Sequence, residues 1–180
     1  FFVKLPLFDS SMRGTWRGDS LFGEWTDHSR KDYIIPFSAG TSSSVSCDSL
    51  LEEFNFNVEF SPSDTAGGSK GVAVLQKHGD VVTGTIMTET GDYRYLQGEW
   101  SKENIWLSAF DGTHLFYLTG VVKGDSIING LFLSGKHWKE SWVAIKTPTN
   151  NLRNPYSIAT LQVNENPTFT VLNSNESPVV

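Results

Sequence analysis

The chain has 180 residues, of which 38% are hydrophobic and 19% charged, enough for one well-buried domain with an ordinary apolar core. A net charge of −6 with no basic block excludes the electrostatic footprint of a nucleic-acid or anionic-membrane binder. The lone cysteine, Cys47, excludes an internal disulfide and a Cys-x-x-Cys pair, and no apolar run nears the ~18 residues of a membrane-spanning helix.

Strand signals recur about every ten residues, separated by Gly, Asn, Asp and Ser. They predict strands near 1–7, 14–26, 32–38, 53–60, 71–77, 80–88, 92–100, 104–110, 113–122, 126–134 and 138–146. Alternation is clearest in Phe54-Asn55-Phe56-Asn57-Val58-Glu59-Phe60, where every second residue is apolar. The segments 38–44 and 61–69 are small, polar and turn-rich, and read as loops. One short helical turn is conceivable at 46–53, with Ser46 or Asp48 as cap. After Lys146 the composition shifts to Thr147-Pro148-Thr149-Asn150-Asn151, which reads as a linker. The expected organisation is therefore a β-barrel-like domain over 1–146, then a linker and the possible start of a further domain over 147–180. The absence of an initial Met and the apolar last pair, Val179-Val180, fit a piece of a longer protein.

A recurring pattern sets the expected architecture. Glycine stands inside a strand, with large apolar residues two positions away, at Gly23, Gly84, Gly98 and Gly130. Such a glycine weakens a strand unless a neighbouring backbone or ring must approach or the sheet must bend. Repeated along a meander, it is how a sheet curls toward closure. The fold class read from this is all-β, an antiparallel meander forming a calycin-like (lipocalin/avidin-like) barrel or a curled sandwich.

Residues able to carry chemistry are few. In Gly91-Asp92-Tyr93-Arg94-Tyr95-Leu96, strict alternation puts Arg94 on the face of Leu96 and Trp100, so an inward Arg94 needs Asp92 or a stacked ring such as Trp16 or Trp100 as partner. Arg94, Tyr95, Trp100 and Trp138 are the candidate ligand-binding residues. Asp111-Gly112 predicts a hairpin turn across which Asp111 and His114 could form an acid–base pair, the structural turn being the favoured reading. His114 and His137 stand on the tips of different hairpins. Four histidines without paired spacing make no metal site, and no catalytic set or cofactor motif is recognisable. Convergence of Glu89, Glu99, Asp111 and Glu140 into a hydrolytic pair stays open.

Three stretches, Thr83–Gly98, Leu107–His114 and Ser134–Trp142, together with Leu21–Trp25 followed by Ile34-Ile35-Pro36-Phe37, resemble the β-rich N-terminal region of TlpA/ResA-like thioredoxin-family proteins. The similarity covers roughly residues 3–146. It implies an exported, extracytoplasmic bacterial thiol–disulfide oxidoreductase as parent, its redox chemistry in a downstream thioredoxin-like domain with Trp-Cys-x-x-Cys. Cys47 matches no family catalytic cysteine. The expected role of this chain is thus a non-catalytic accessory or binding β domain, its partners a downstream thioredoxin-like domain, a client protein or a small ligand, with no nucleic acid and no membrane span. The alternative is a calycin-type barrel that binds a small molecule.

Overall fold

The computed structural model describes residues 1–40, 50–61, 68–89, 91–148 and 152. They form β1 (Phe2–Leu5), a 3-10 turn (Pro6–Phe8), β2 (Ser10–Arg17), β3 (Ser20–Asp27), β4 (Tyr33–Gly40), β5 (Leu51–Phe60), β6 (Lys70–His78), β7 (Val81–Thr88), β8 (Gly91–Ser101), β9 (Asn104–Phe110), β10 (Leu115–Lys123), β11 (Ser126–Ser134) and β12 (Trp138–Lys146). The protein is all-β. No helix among the described residues is long and apolar enough to cross a membrane.

The expected first strand stops short at Leu5: Pro6 starts the 3-10 turn, and Asp9 in the left-handed region (φ 44°) turns the chain back. The expected strand at 14–26 is two strands, β2 and β3, folded at Gly18-Asp19. There Gly18 takes φ +60° and Arg17 pairs with Ser20. Leu51–Glu53, expected to end a short helix, begin β5 instead, while 46–49 lie outside the described residues. So does most of 147–180.

β1 to β4 do not join the barrel. They make a separate antiparallel sheet in chain order, with Pro36 on its β4 edge, where a missing N–H costs no ladder bond. β5 to β12 make a closed eight-strand barrel, each strand beside its sequence neighbours and β12 paired back to β5 through Trp142↔Phe60, Ala144↔Val58 and Lys146↔Phe56. Closure leaves no edge to cap, and eight strands give an interior that side chains can fill. Here they fill it. Phe56, Phe60, Leu75, Val82, Ile86, Leu96, Ile105, Leu107, Leu118, Ile127, Phe132 and Trp142 are almost wholly buried in one cluster, with Trp100 beside Phe54. At about 1.5–3 kcal/mol for each such side chain, this cluster is the main source of stability.

Close backbone approach explains the strand-interior glycines. A Cβ on Gly98 would fall on the Trp106 carbonyl, one on Gly84 on the Val74 carbonyl, and one on Gly130 on the Trp142 carbonyl. Two β-bulges add curvature. On β8, Gly84↔Leu96 is followed by Ile86↔Tyr93, so Arg94 and Tyr95 face the single residue Thr85, and Tyr95 adopts φ 58°. On β11, Ile127↔Ala144 is followed by Gly130↔Trp142, with Asn129 at φ 52°. A bulge shifts the side-chain alternation by one. Leu96 and Trp100 do point inward, yet Tyr93 joins them and Arg94 turns to solvent. Likewise Ile127 and Phe132, five positions apart, are both inside.

The two ends of the barrel differ. The lower turns, Gly79-Asp80, Lys102-Glu103 and Gly124-Asp125, are two-residue hairpin connections whose first residue has positive φ. The upper connections, 61–69, 89–90, 111–114 and 135–137, are mostly longer. The separate sheet stands against this upper end. Ser10 Oγ donates to the Gly112 carbonyl (2.7 Å), Trp25 meets Phe110 edge-on (5.5 Å) and the Lys136 N–H donates to Tyr33 Oη (2.8 Å).

Gly98→Ala should cost about 1–3 kcal/mol, because the new methyl group meets backbone rather than a yielding side chain. Gly40→Ala, with open space around the added carbon, should be near neutral. Thermal unfolding of the two variants checks this, and equal melting temperatures would contradict the close-approach account. Tyr95→Gly should remove about 1 kcal/mol of left-handed strain and raise the melting temperature, since the ring is 85% exposed and packs little. Tyr95→Val, a β-branched residue in the same conformation, should lower it.

Candidate functional site

With the interior filled, the clefts lie on the outside and at the ends, and the one with the most aromatic lining is at the upper mouth. β8 delivers Tyr93 through its bulge, β10 delivers Phe116, and β11 delivers Phe132 through the bulge at Asn129. The three rings touch one another. Tyr93 lies 4.9 Å from Phe116 and 5.2 Å from Phe132, and Phe116 lies 6.0 Å from Phe132. Phe60 closes the floor against Phe132 at 5.5 Å. Over them opens a cleft of about 340 Å³, completed by Ser69, Ser134, His137, Trp138 and Glu140.

Glu140 is the charge at this cleft. β12 alternates, so Glu140 lies on the same face as inward Trp142, and Trp138 stands two residues further toward the rim. Ser61 Oγ donates to Glu140 Oε2 (2.7 Å) and Trp138 Nε1 donates to Oε1 (2.9 Å), which fixes the carboxylate. Burial first, and then the Glu140 charge, push the Tyr93 phenol above its ordinary pKa. Tyr93 is therefore a neutral O–H at the mouth.

A second cleft of about 350 Å³ lies on the other side of Phe116, lined by Asp92, Arg94, Tyr95, Phe110 and Asp111. Arg94 is bound to Asp92 here (Nε to Oδ1, 3.0 Å) rather than stacked on Trp16 or Trp100. Asp111 caps its own turn: burial raises its pKa, but the N–H groups of His114 and Thr113 and the His114 ring outweigh this and hold the carboxyl below the ordinary value. His114 stacks on Phe116 in parallel planes, 5.9 Å apart. A third cleft, on the outer wall between β12, β5 and β6, ends against Leu152.

The four residues expected to bind a ligand are thus dispersed. Trp138 stands at the mouth. Trp100 is deep in the packed interior against Phe54, and Arg94 and Tyr95 line the neighbouring cleft from outside. His114 and His137 share the upper end but serve different partners, Asp111 and Tyr33. Of the four carboxylates considered, Glu99 stands beside the lower turns, paired with Val81, remote from Glu140. No group of three metal-ligating side chains occurs among the described residues, and Cys47 lies outside them. Tyr93, Phe116 and Phe132 were missed as site residues because strict alternation sends Tyr93 outward. The available signal was Asn129-Gly130, a pair that tolerates the left-handed conformation of a bulge.

A spectroscopic or NMR titration should find Tyr93 ionising above the ordinary phenol range. Glu140→Gln should bring its pKa part of the way down, leaving the burial contribution. An unchanged Tyr93 pKa in that variant would separate the two groups.

Comparison with protein-family models, with curated proteins and with solved structures finds no match for this chain.

Proposed function

We propose that the chain is a non-catalytic binding domain whose site is the upper mouth of the barrel. One observation carries this reading: the half-buried rings of Tyr93 and Phe116, packed on the buried Phe132 and open to solvent at the mouth, with a fixed carboxylate beside them. Binding sites typically combine apolar and aromatic walls with a few placed polar groups, and a cleft of about 340 Å³ lies at the small end of their usual range. The filled interior argues for a ligand held at the rim rather than swallowed. The sequence resemblance to TlpA/ResA-like proteins adds a proposed setting, an accessory domain of an exported thiol–disulfide oxidoreductase. A Trp-Cys-x-x-Cys segment in the same parent reading frame would support that setting, and its absence would remove it.

The test of the site uses N-phenylnaphthylamine, a neutral aromatic probe that brightens when desolvated. Wild-type protein should enhance its emission. Phe116→Ala should weaken binding about tenfold, the effect of losing one packed ring. Trp106→Ala, on the outer wall of β9, should leave it unchanged. Equal loss in both variants, or no enhancement by the wild type, would defeat the proposal.

A further inference from the structure

Of the clefts at the upper end, the mouth is the one whose charge has no counter-ion. Arg94 is paired with Asp92 and His114 with Asp111, whereas no cation pairs with Glu140 among the described residues. The cationic side chains nearest in sequence are turned elsewhere. The Lys136 ammonium lies over the Tyr33 ring at 5.7 Å, and Lys139 occupies the outward-facing position of β12. His137 Nδ1 is 3.2 Å from Tyr33 Oη. Each Glu140 oxygen accepts one hydrogen bond, from Ser61 or from Trp138, and so keeps acceptor capacity.

The rings add a second attraction for positive charge. Tyr93, Phe116 and Phe132 line the cleft together with Trp138, and an aromatic face attracts a cation through its quadrupole. Tyr93 is neutral near pH 7 like any unperturbed phenol, so its hydroxyl is both a donor and an acceptor. An anionic ligand would meet the Glu140 charge; a neutral one would leave it partly desolvated without compensation.

We propose that the upper mouth takes an organic ammonium group, seated between the Glu140 carboxylate and the rings of Tyr93, Phe116 and Trp138. This rests on the reading of the mouth as a binding site and narrows its ligand to alkylated or primary ammonium head groups, whether on a free amine or on a lysine side chain of a client.

The experiment is a titration followed by NMR at the Trp138 indole N–H, which bonds Glu140 directly. Choline is compared with dimethylbutanol, its neutral carbon isostere, and with a short peptide carrying trimethyllysine. Choline or the peptide should bind at least about tenfold tighter than dimethylbutanol, and the tighter of the two identifies the source of the head group. Glu140→Gln keeps the size of the side chain and should cut that preference to the smaller part the rings supply, while the protein stays folded by its amide spectrum. Equal binding of cation and neutral isostere, or a preference undiminished by Glu140→Gln, would overturn the ammonium assignment while leaving the mouth a binding site. Failure of all three titrants and of N-phenylnaphthylamine would overturn both.

Discussion

Closure of the barrel turns on Trp142. It sits on the last strand, paired on one side with Gly130 of β11 and on the other with Phe60 of β5, so the residue that closes the ring also bridges its two ends. Its indole needs space that no other residue type at Gly130 would leave. An added carbon there would lie 2.7 Å from the indole Cδ1 and Nε1. The indole N–H is satisfied by the Thr119 carbonyl at 3.0 Å, so burying the largest side chain leaves no stranded donor. One glycine and one carbonyl thus accommodate one tryptophan at the closing strand pair.

The bulge at Asn129 adjoins that clearance, and the mouth depends on it. Without the extra residue on β11, alternation counted from Ile127 would put Leu131 and Leu133 inside and Phe132 outside. The same holds on β8, where alternation counted from Trp100 and Leu96 would bring in Arg94 and expel Tyr93. Two shifts of one residue therefore convert a plain packed barrel into one whose upper rim presents aromatic rings around Glu140. The cost is two non-glycine residues in the left-handed region, of order 1 kcal/mol each and somewhat less for Asn129.

Much of the architecture was legible in the residues. Strands β5 to β9, β11 and β12 lie close to their expected positions, because Gly, Asn and Asp turns and two-residue alternation are local signals. Curling was legible too, through Gly84, Gly98 and Gly130. The split between the first four strands and the barrel was not, since which strand pairs with which is decided by contacts far apart in sequence. The hairpin at Gly18-Asp19 was hidden inside a run with apolar residues on both sides. Of the site, Trp138 and Glu140 were visible as candidates, and the rings between them were not. Alternation predicts faces only while the ladder is regular, and the site is built where it is irregular.

That placement has an energetic logic. The middle of the barrel is filled, and the hairpins at the lower end close in two-residue turns. The upper end has longer connections, and the separate sheet steadies two of them, through Ser10 on Gly112 and Tyr33 on Lys136. A carboxylate held against a half-buried phenol disfavours ionisation of the phenol and contributes no ion pair in return. A glutamine at 140 would keep an acceptor for Ser61 or Trp138 without that charge. A charge where packing alone does not call for it is the feature on which the proposed ammonium ligand rests. The proposed ligand would bring a positive charge and an apolar shell together.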